Sequence, residues 1–265
     1  MSYWEAIGLG LLQGLTEFLP VSSSGHLVIA QYFLGIKQPG VTLEVMVHFG
    51  TLLSIVWVFR RDILKLLTGF FSNAEEKRFG MLLFWGLIPT GIMGILWGTF
   101  FTSIFDRPLL VGLALLVTGC IVLAISKAEI KFKGINKMKI QDALVIGIFQ
   151  GIAIIPGITR SGSTILGALW RGLDRETAVR YSFILALPVI AGATLLELKD
   201  FLKVTANLEI IYPYIVATLV AFISGVFAIT LFVKLLEEGR FYYMAYYCWC
   251  LGLLTIVGSC LLSAF

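Results

Sequence analysis

Residues 13–26 read Q-G-L-T-E-F-L-P-V-S-S-S-G-H, and this stretch decides how the rest of the chain is read. It sets Glu17, the helix-breaking Pro20, three consecutive hydroxyls (Ser22, Ser23, Ser24) and the imidazole of His26 between two runs of apolar residues. Polar and ionisable groups at membrane depth are costly, so a cluster of them inside apolar sequence marks a site.

A second stretch echoes the first. Gly10, Gln13 and Gly14 recur as Gly147, Gln150 and Gly151; a proline follows each time (Pro20, Pro156), then a hydroxyl-rich turn containing Ser-Gly (Ser24-Gly25, Ser161-Gly162). The second copy, P-G-I-T-R-S-G-S-T at 156–164, adds Arg160. Two related segments with complementary polar groups point to one composite site.

Composition supports a membrane setting. Of 265 residues, 58% are hydrophobic and 14% charged, with a mean hydropathy of +0.94, the profile of a polytopic membrane protein. Residues 1–10 have no basic leader and no small-x-small cleavage site, so no cleaved signal is expected. The net charge is +4, but the basic residues sit in loops without the motifs or aromatic interleaving that nucleic-acid binding requires. Cys120, Cys248, Cys250 and Cys260 all fall in apolar runs, where packing is expected and neither a disulfide framework nor a zinc site.

A spanning helix needs about 20 apolar residues. Six runs approach that length, at 41–59, 79–101, 109–125, 177–198, 211–233 and 243–262. The shorter pieces 4–19, 26–34, 143–155 and 164–170 flank the two proline-containing turns. Each pair reads as a re-entrant helical hairpin, tolerated at membrane depth where protein or a wet cavity surrounds the broken backbone. The fold expected is all-α and polytopic, a single membrane domain of six transmembrane helices and two re-entrant hairpins. Residues 1–125 (hairpin 4–34) and 126–265 (hairpin 143–170) form an inverted-topology repeat, because three spans per half reverse the entry side of the second.

Charge gives the orientation. Fourteen Lys and Arg residues lie on the face holding loops 60–78, 126–176 and 234–240, against four (Lys37, Arg107, Lys199, Lys203) on the other. The positive-inside rule makes the first face cytoplasmic and puts both termini and the opening of the site outside the cell membrane. Within the spans, Pro89 and Pro188 are expected to kink helices, Gly91, Gly94, Gly192 and Gly225 to allow close helix contact, and Glu44 and His48, one turn apart, to share a face and line one cavity.

Arg160 follows a Pro-Gly turn and precedes a short helix, so its guanidinium, nearby amides and the hydroxyls of Thr159, Ser161, Ser163 and Thr164 suit an oxyanion such as phosphate. The structural alternative is an ion pair with Glu17. The first hairpin adds Glu17 to orient a partner or hold a divalent cation, and Ser23 or His26 as nucleophile, with His26 also able to activate Ser23. Phosphoryl transfer asks mainly for positioning and neutralisation of charge.

E-F-L-P-V-S-S-S-G-H (17–26), P-G-I-T-R-S-G-S-T (156–164) and the segment 171–191 resemble the signature regions of the bacterial undecaprenyl-diphosphate phosphatases, the bacitracin-resistance membrane proteins. The resemblance covers essentially the whole chain. It implies hydrolysis of undecaprenyl diphosphate to the monophosphate carrier used in peptidoglycan synthesis, a divalent cation (Mg or Ca), and functional positions at Gln13, Glu17, Ser23, His26, Arg160 and Thr164, with Ser22 and Ser24 beside them. Gln13 stands where many relatives carry glutamate, which leaves Glu17 as the principal metal ligand, joined at most by Gln13. Thr159 stands where serine is common and keeps the hydroxyl. An inverted-repeat transporter or flippase of a lipid phosphate or small anion is the alternative reading. A scaffold would not place Glu17 and Arg160 in apolar surroundings. Oligomeric state stays open, a homo-oligomer included.

Overall fold

The computed structural model describes residues 2–34, 42–102, 104, 107–129, 131–204, 208–238 and 241–262. Lys37 and Arg240 of the charge count lie outside them. Among the described residues the chain is all-helical: α1 (Tyr3–Phe18), α2 (Ser23–Leu34), α3 (Thr42–Val58), α4 (Arg60–Gly69), α5 (Ala74–Thr102), α6 (Pro108–Ser126), α7 (Ile140–Ile152), α8 (Arg160–Trp170), α9 (Arg175–Val204), α10 (Leu208–Glu238) and α11 (Tyr242–Leu262).

Local sequence sets many of the helix ends. Ser2 and Glu5 form a reciprocal capping box that starts α1, with Ser2 N–H donating to Glu5 Oε2 at 2.7 Å. Pro20 forces the preceding residue extended, so α1 stops at Phe18. Pro108 occupies the first turn of α6. The Asp174 carboxylate accepts the Thr177 amide at 2.7 Å and opens α9.

Five helices are long and apolar enough to cross a bilayer: Ala74–Gly98, Pro108–Ser126, Arg175–Leu195, Ile211–Leu236 and Tyr242–Leu261. The first expected span behaves differently. Its described part, Leu43–Val58, bends by 75° into Arg60–Gly69, and the two make a sixth span when counted together. Position 41 lies outside the described residues. Residues 60–69, read as loop from their charges, form the amphipathic α4, with Arg60, Arg61 and Lys65 alongside exposed Leu64 and Leu67. Charge density hid a short 3.6-residue periodicity. Large apolar side chains such as Ile95, Leu195, Ile223 and Leu254 stand on the surface, as a bilayer-facing protein requires and a water-soluble one avoids.

The core lies where the long helices meet. Tyr181, Phe183, Phe232, Phe241 and Phe18 are fully buried in one cluster, and Tyr181 Oη donates to the Leu82 carbonyl at 2.7 Å. α1 packs along α10, α7 along α5, α6 along α11, and α3 against both α9 and α10. The repeated glycines sit at the first two of these crossings. A Cβ on Gly10 would stand 2.4 Å from the Ala217 carbonyl oxygen, and one on Gly147 2.1 Å from that of Gly86. Among the glycines expected at helix contacts, Gly225 fits, 2.4 Å from Ser54 Oγ, while Gly91 and Gly192 face open space and Gly94 makes only an ordinary contact. A glycine within an apolar run does not say which face it occupies.

The ends of α7 and α8 are tied together at one buried carboxylate. Asp142, fully buried at the first turn of α7, accepts from Lys133 Nζ, from the Lys139 amide at 2.7 Å and from Arg171 Nε at 2.8 Å. Loop 126–140, the start of α7 and the end of α8 therefore close on one carboxylate. Burial raises the Asp142 pKa, but these donors outweigh it and hold the group below the usual carboxylate range.

Replacing Gly10 or Gly147 by valine should destabilise the detergent-solubilised protein by about 1–3 kcal/mol through overpacking, read as a lower melting temperature, whereas Gly91→Ala should be neutral or mildly stabilising; equal melting temperatures for all three would refute the crossing assignment. Because the Asp142 pKa is depressed on folding, its contribution is present above the unfolded value of about 4 and is lost as pH falls through the lower folded value. Acid titration of stability should show that loss in the unaltered protein, while Asp142→Asn should be less stable at neutral pH and lack this component.

Candidate active site

Both breaks in the short helices meet at one cavity. Between α1 and α2 the chain turns through Pro20 and Val21 to Ser22, whose φ of 68° is the one positive value on a non-glycine among the described residues. Such a conformation costs about 1–2 kcal/mol for an L-residue, and Ser22 is held in it by local bonds. Its carbonyl accepts the His26 amide at 3.2 Å and His26 Nδ1 at 2.7 Å, and its hydroxyl accepts the Gly25 amide at 3.3 Å.

Between α7 and α8 the turn passes through Gly157 at φ +95°, a conformation that favours glycine. The buried backbone there is satisfied from α6. Thr118 Oγ1 donates to the Gly157 carbonyl at 2.6 Å and accepts the Thr159 amide at 3.0 Å. Thr159 then caps α8, its hydroxyl accepting the Gly162 amide at 3.2 Å. Thr118 has no sequence signal; it is one threonine in an apolar run.

The cavity has a volume of about 330 Å³ and is lined with polar groups by Glu17, Ser22, Ser23, Ser24, Glu44, His48, Thr90, Gln150, Thr159, Arg160 and Thr194. Val45, Ala153, Ile154, Ile158, Val189, Ile190 and Ala193 complete the wall. Glu17 is its centre. Arg160 Nη2 donates to Glu17 Oε1 at 2.6 Å, Ser23 Oγ donates to Oε2 at 2.5 Å, and Gln13 Nε2 donates to Oε2 at 3.0 Å. His48 Nε2 stands 3.8 Å from the same oxygen. Among the described residues Arg160 Nη1, withdrawn from solvent, has no hydrogen-bond partner, while the residue itself lines the cavity; a guanidinium with an unused N–H suits an anion.

The expected residues other than His26 divide into three groups. Glu17, Ser22, Ser23, Ser24, Thr159 and Arg160 reach the cavity together, joined by Glu44 and His48 from one turn of α3. Gln13 is buried behind Glu17 and serves it through its amide N–H. Ser161, Ser163 and Thr164 are buried in the body of α8 and do not line the cavity. The Thr164 hydroxyl pairs with Ser182 Oγ on α9 at 2.5 Å and bonds the Arg160 carbonyl at 2.9 Å, so it fixes the helix that carries the arginine. A hydroxyl three or four residues into a helix points along its flank, which is why the spacing of the motif overcounted phosphate donors.

His26 departs furthest from its expected role. It is buried and turned from the cavity toward α11, where Tyr247 Oη lies 2.6 Å from Nε2 and the two rings stack. With Nδ1 on the Ser22 carbonyl, both ring nitrogens are engaged, and neither attack by His26 nor direct activation of Ser23 fits this placement. Glu17 stands in that position on Ser23. Of the two readings of Arg160, the ion pair with Glu17 is present, made by one arm of the guanidinium, and the other arm has no partner among the described residues.

Thr90, Gln150 and Thr194 were not expected in the site. Gln150 Nε2 donates to Thr90 Oγ1 at 3.2 Å, and Gln150 Oε1 is buried without a partner. Its correspondence with Gln13 was the available signal; Thr90 and Thr194 carried none.

Among the described residues no group of three or more His, Cys, Asp or Glu side chains could cage a metal ion. The donors do fit a hard cation that shares its coordination with substrate oxygens. Two carboxylate residues, Glu17 and Glu44, line the cavity together with Gln150, and magnesium is commonly held by one or two carboxylates plus phosphate oxygens and water.

A family model described as bacitracin resistance protein BacA matches residues 6–254. An undecaprenyl-diphosphatase of Halothermothrix orenii is 44% identical over 257 residues, covering 97% of this chain and 98% of the relative. A protein of the same name from Alkaliphilus metalliredigens is 40% identical over 275 residues, covering 98% of this chain and 100% of the relative. One from Syntrophotalea carbinolica is 42% identical over 258 residues, covering 95% and 97%.

Proposed function

The chain belongs to the bacitracin resistance protein BacA family, and we propose that it is an integral membrane phosphatase that hydrolyses undecaprenyl diphosphate to undecaprenyl phosphate and orthophosphate. By that reaction it recycles the lipid carrier of peptidoglycan synthesis and confers bacitracin resistance. The observation that carries this reading is the triple contact at Glu17. A serine hydroxyl at 2.5 Å and a glutamine amide at 3.0 Å on one carboxylate oxygen, with an arginine at 2.6 Å on the other, support a reading of Ser23 as nucleophile, Glu17 as its base and Arg160 as anion donor.

The reaction proceeds in two displacements. The Arg160 guanidinium and the hydroxyls of Ser22, Ser24 and Thr159 hold the terminal phosphate, and the apolar wall from Val189 to Ala193 takes the start of the isoprenoid chain. Ser23 Oγ attacks the terminal phosphorus as its proton passes to Glu17. The anhydride P–O bond breaks, and undecaprenyl phosphate departs with the bridging oxygen and the proton from Glu17. Water then attacks the phosphoserine, Glu17 takes a proton from it and returns one to Ser23 Oγ, and orthophosphate leaves. A divalent cation held by Glu17 and Glu44, when bound, supplies charge neutralisation on the phosphate oxygens. Gln13 orients Glu17 and is no ligand in this scheme.

The architecture proposed is the six-span, two-hairpin inverted repeat, with each hairpin re-entrant. Two features favour it: the matching Gly-x-x-Gln-Gly glycines, one set at the α1–α10 crossing and the other at α7–α5, and backbone breaks that are satisfied by protein groups. The excess of basic residues on one side assigns that side to the cytoplasm, with both termini and the cavity mouth on the outer face of the cell membrane.

Orthophosphate release from undecaprenyl diphosphate by the purified protein should fall by at least about a hundredfold in Ser23→Ala and in Arg160→Ala, and acid-stable phosphoserine should be trapped on Ser23; a well-folded protein that binds the lipid and releases no phosphate would overturn the phosphatase reading. Chelation should abolish release and added magnesium or calcium restore it, with Glu44→Gln needing more cation for half-maximal rate. Chelator-resistant release would remove the cation from the scheme.

A further inference from the structure

Tyr247 lies far from the first hairpin in sequence, on α11, yet it makes a short bond to that hairpin's histidine: 2.6 Å from Oη to His26 Nε2, with ring centroids 5.6 Å apart and planes within 11°. The chemistry of the partners fixes the protons. The Ser22 carbonyl can only accept, so His26 Nδ1 carries the hydrogen and donates to it at 2.7 Å. Nε2 is then a lone pair, and the Tyr247 hydroxyl donates to it. A chain of two directed bonds runs from α11 through the imidazole to the carbonyl of Ser22.

Ser22 is the residue with φ 68°, and Ser23 is its neighbour. The peptide joining them is the one whose oxygen His26 holds. Without the imidazole that oxygen keeps only the His26 amide at 3.2 Å, which loosens the strained peptide and lets Ser23 Oγ swing off the Glu17 carboxylate that it reaches at 2.5 Å. We infer that Tyr247 is a positioning residue for the Ser23 nucleophile: through the His26 imidazole it locks the strained Ser22–Ser23 peptide in the geometry that seats the serine hydroxyl on Glu17. The inference rests on the phosphatase reading and on Ser23 as its nucleophile, and it adds a residue from the last helix of the chain to the machinery of the first hairpin. It also gives His26 a role consistent with its place outside the cavity.

Positioning and structural roles are separated by kinetics and by a cycle. Tyr247 is 48% exposed, so Tyr247→Phe removes only the hydroxyl and should keep the melting temperature. It should lower kcat about ten- to a hundredfold with KM within about twofold, because a nucleophile displaced by a fraction of an ångström loses rate and not lipid affinity. His26→Gln should lower kcat by at least as much, and the double variant should be no slower than His26→Gln alone, since both act through one chain of bonds. In protein labelled with 15N-histidine, compared with a His48→Gln control to assign the two imidazoles, Tyr247→Phe should shift the Nε2 resonance of His26 and leave its Nδ1 protonated.

A Tyr247→Phe protein with unchanged kcat, one altered in KM alone, or a double variant whose losses multiply would overturn the inference while leaving the phosphatase intact. An unshifted Nε2 resonance would remove the bond itself. Failure of the unaltered protein to hydrolyse the lipid would overturn the phosphatase reading, and this inference with it, and is told apart by the first assay.

Discussion

The ion pair between Glu17 and Arg160 is the constraint on which the remaining structure depends. The two residues are 143 positions apart and belong to different hairpins, and both side chains are largely withdrawn from solvent. Either charge alone would be untenable in these surroundings, because an unpaired buried ion costs several kcal/mol. The pair therefore requires both helix breaks to arrive at the same depth and to face each other. That requirement explains the second tier of contacts. Gln13 and Ser23 saturate the carboxylate, Thr118 stitches the broken backbone on the arginine side, Thr164 anchors α8 to α9, and Asp142 clamps both ends of the second hairpin to the loop before it.

Saturation of Glu17 also shapes the chemistry. A carboxylate that accepts from an arginine and a serine at once is held in one orientation, and in the proposed reaction it is the base for that serine hydroxyl. The spare guanidinium arm is the feature that supports the proposed anion-binding role beside the salt bridge. A structural pair would satisfy both nitrogens within the protein; here Nη1 is left without a partner.

Much of this was legible in the sequence, and the parts that were not share a cause. The all-helical, many-spanning class followed from composition, and the five long spans followed from run length, since both depend on average hydropathy. Glu17, Ser23 and Arg160 were legible because charge inside apolar sequence has few explanations. The direction of His26 was not legible because a residue three positions after Ser23 can face either side of a helix that starts at a strained turn, and no spacing rule gives the φ of Ser22. Tyr247 and Thr118 were invisible for a related reason: each acts across the packed interior on a partner distant in sequence. The bend at Phe59 was missed because the apolar run continues up to the charges of α4 without a proline or glycine to announce it.

The helix crossings carry a consequence for how the molecule is made. α1 finds its groove on α10, and α7 finds its own on α5, so an element made early in this sequence is completed by one made much later. Gly10 has no carbonyl to pack against until Ala217 has been synthesised, and Glu17 has no cation until Arg160 follows. During that interval the first hairpin has neither its groove nor its counter-charge. Biogenesis of this chain is therefore a matter of holding an unfinished, charged segment at the membrane until its distant partners arrive.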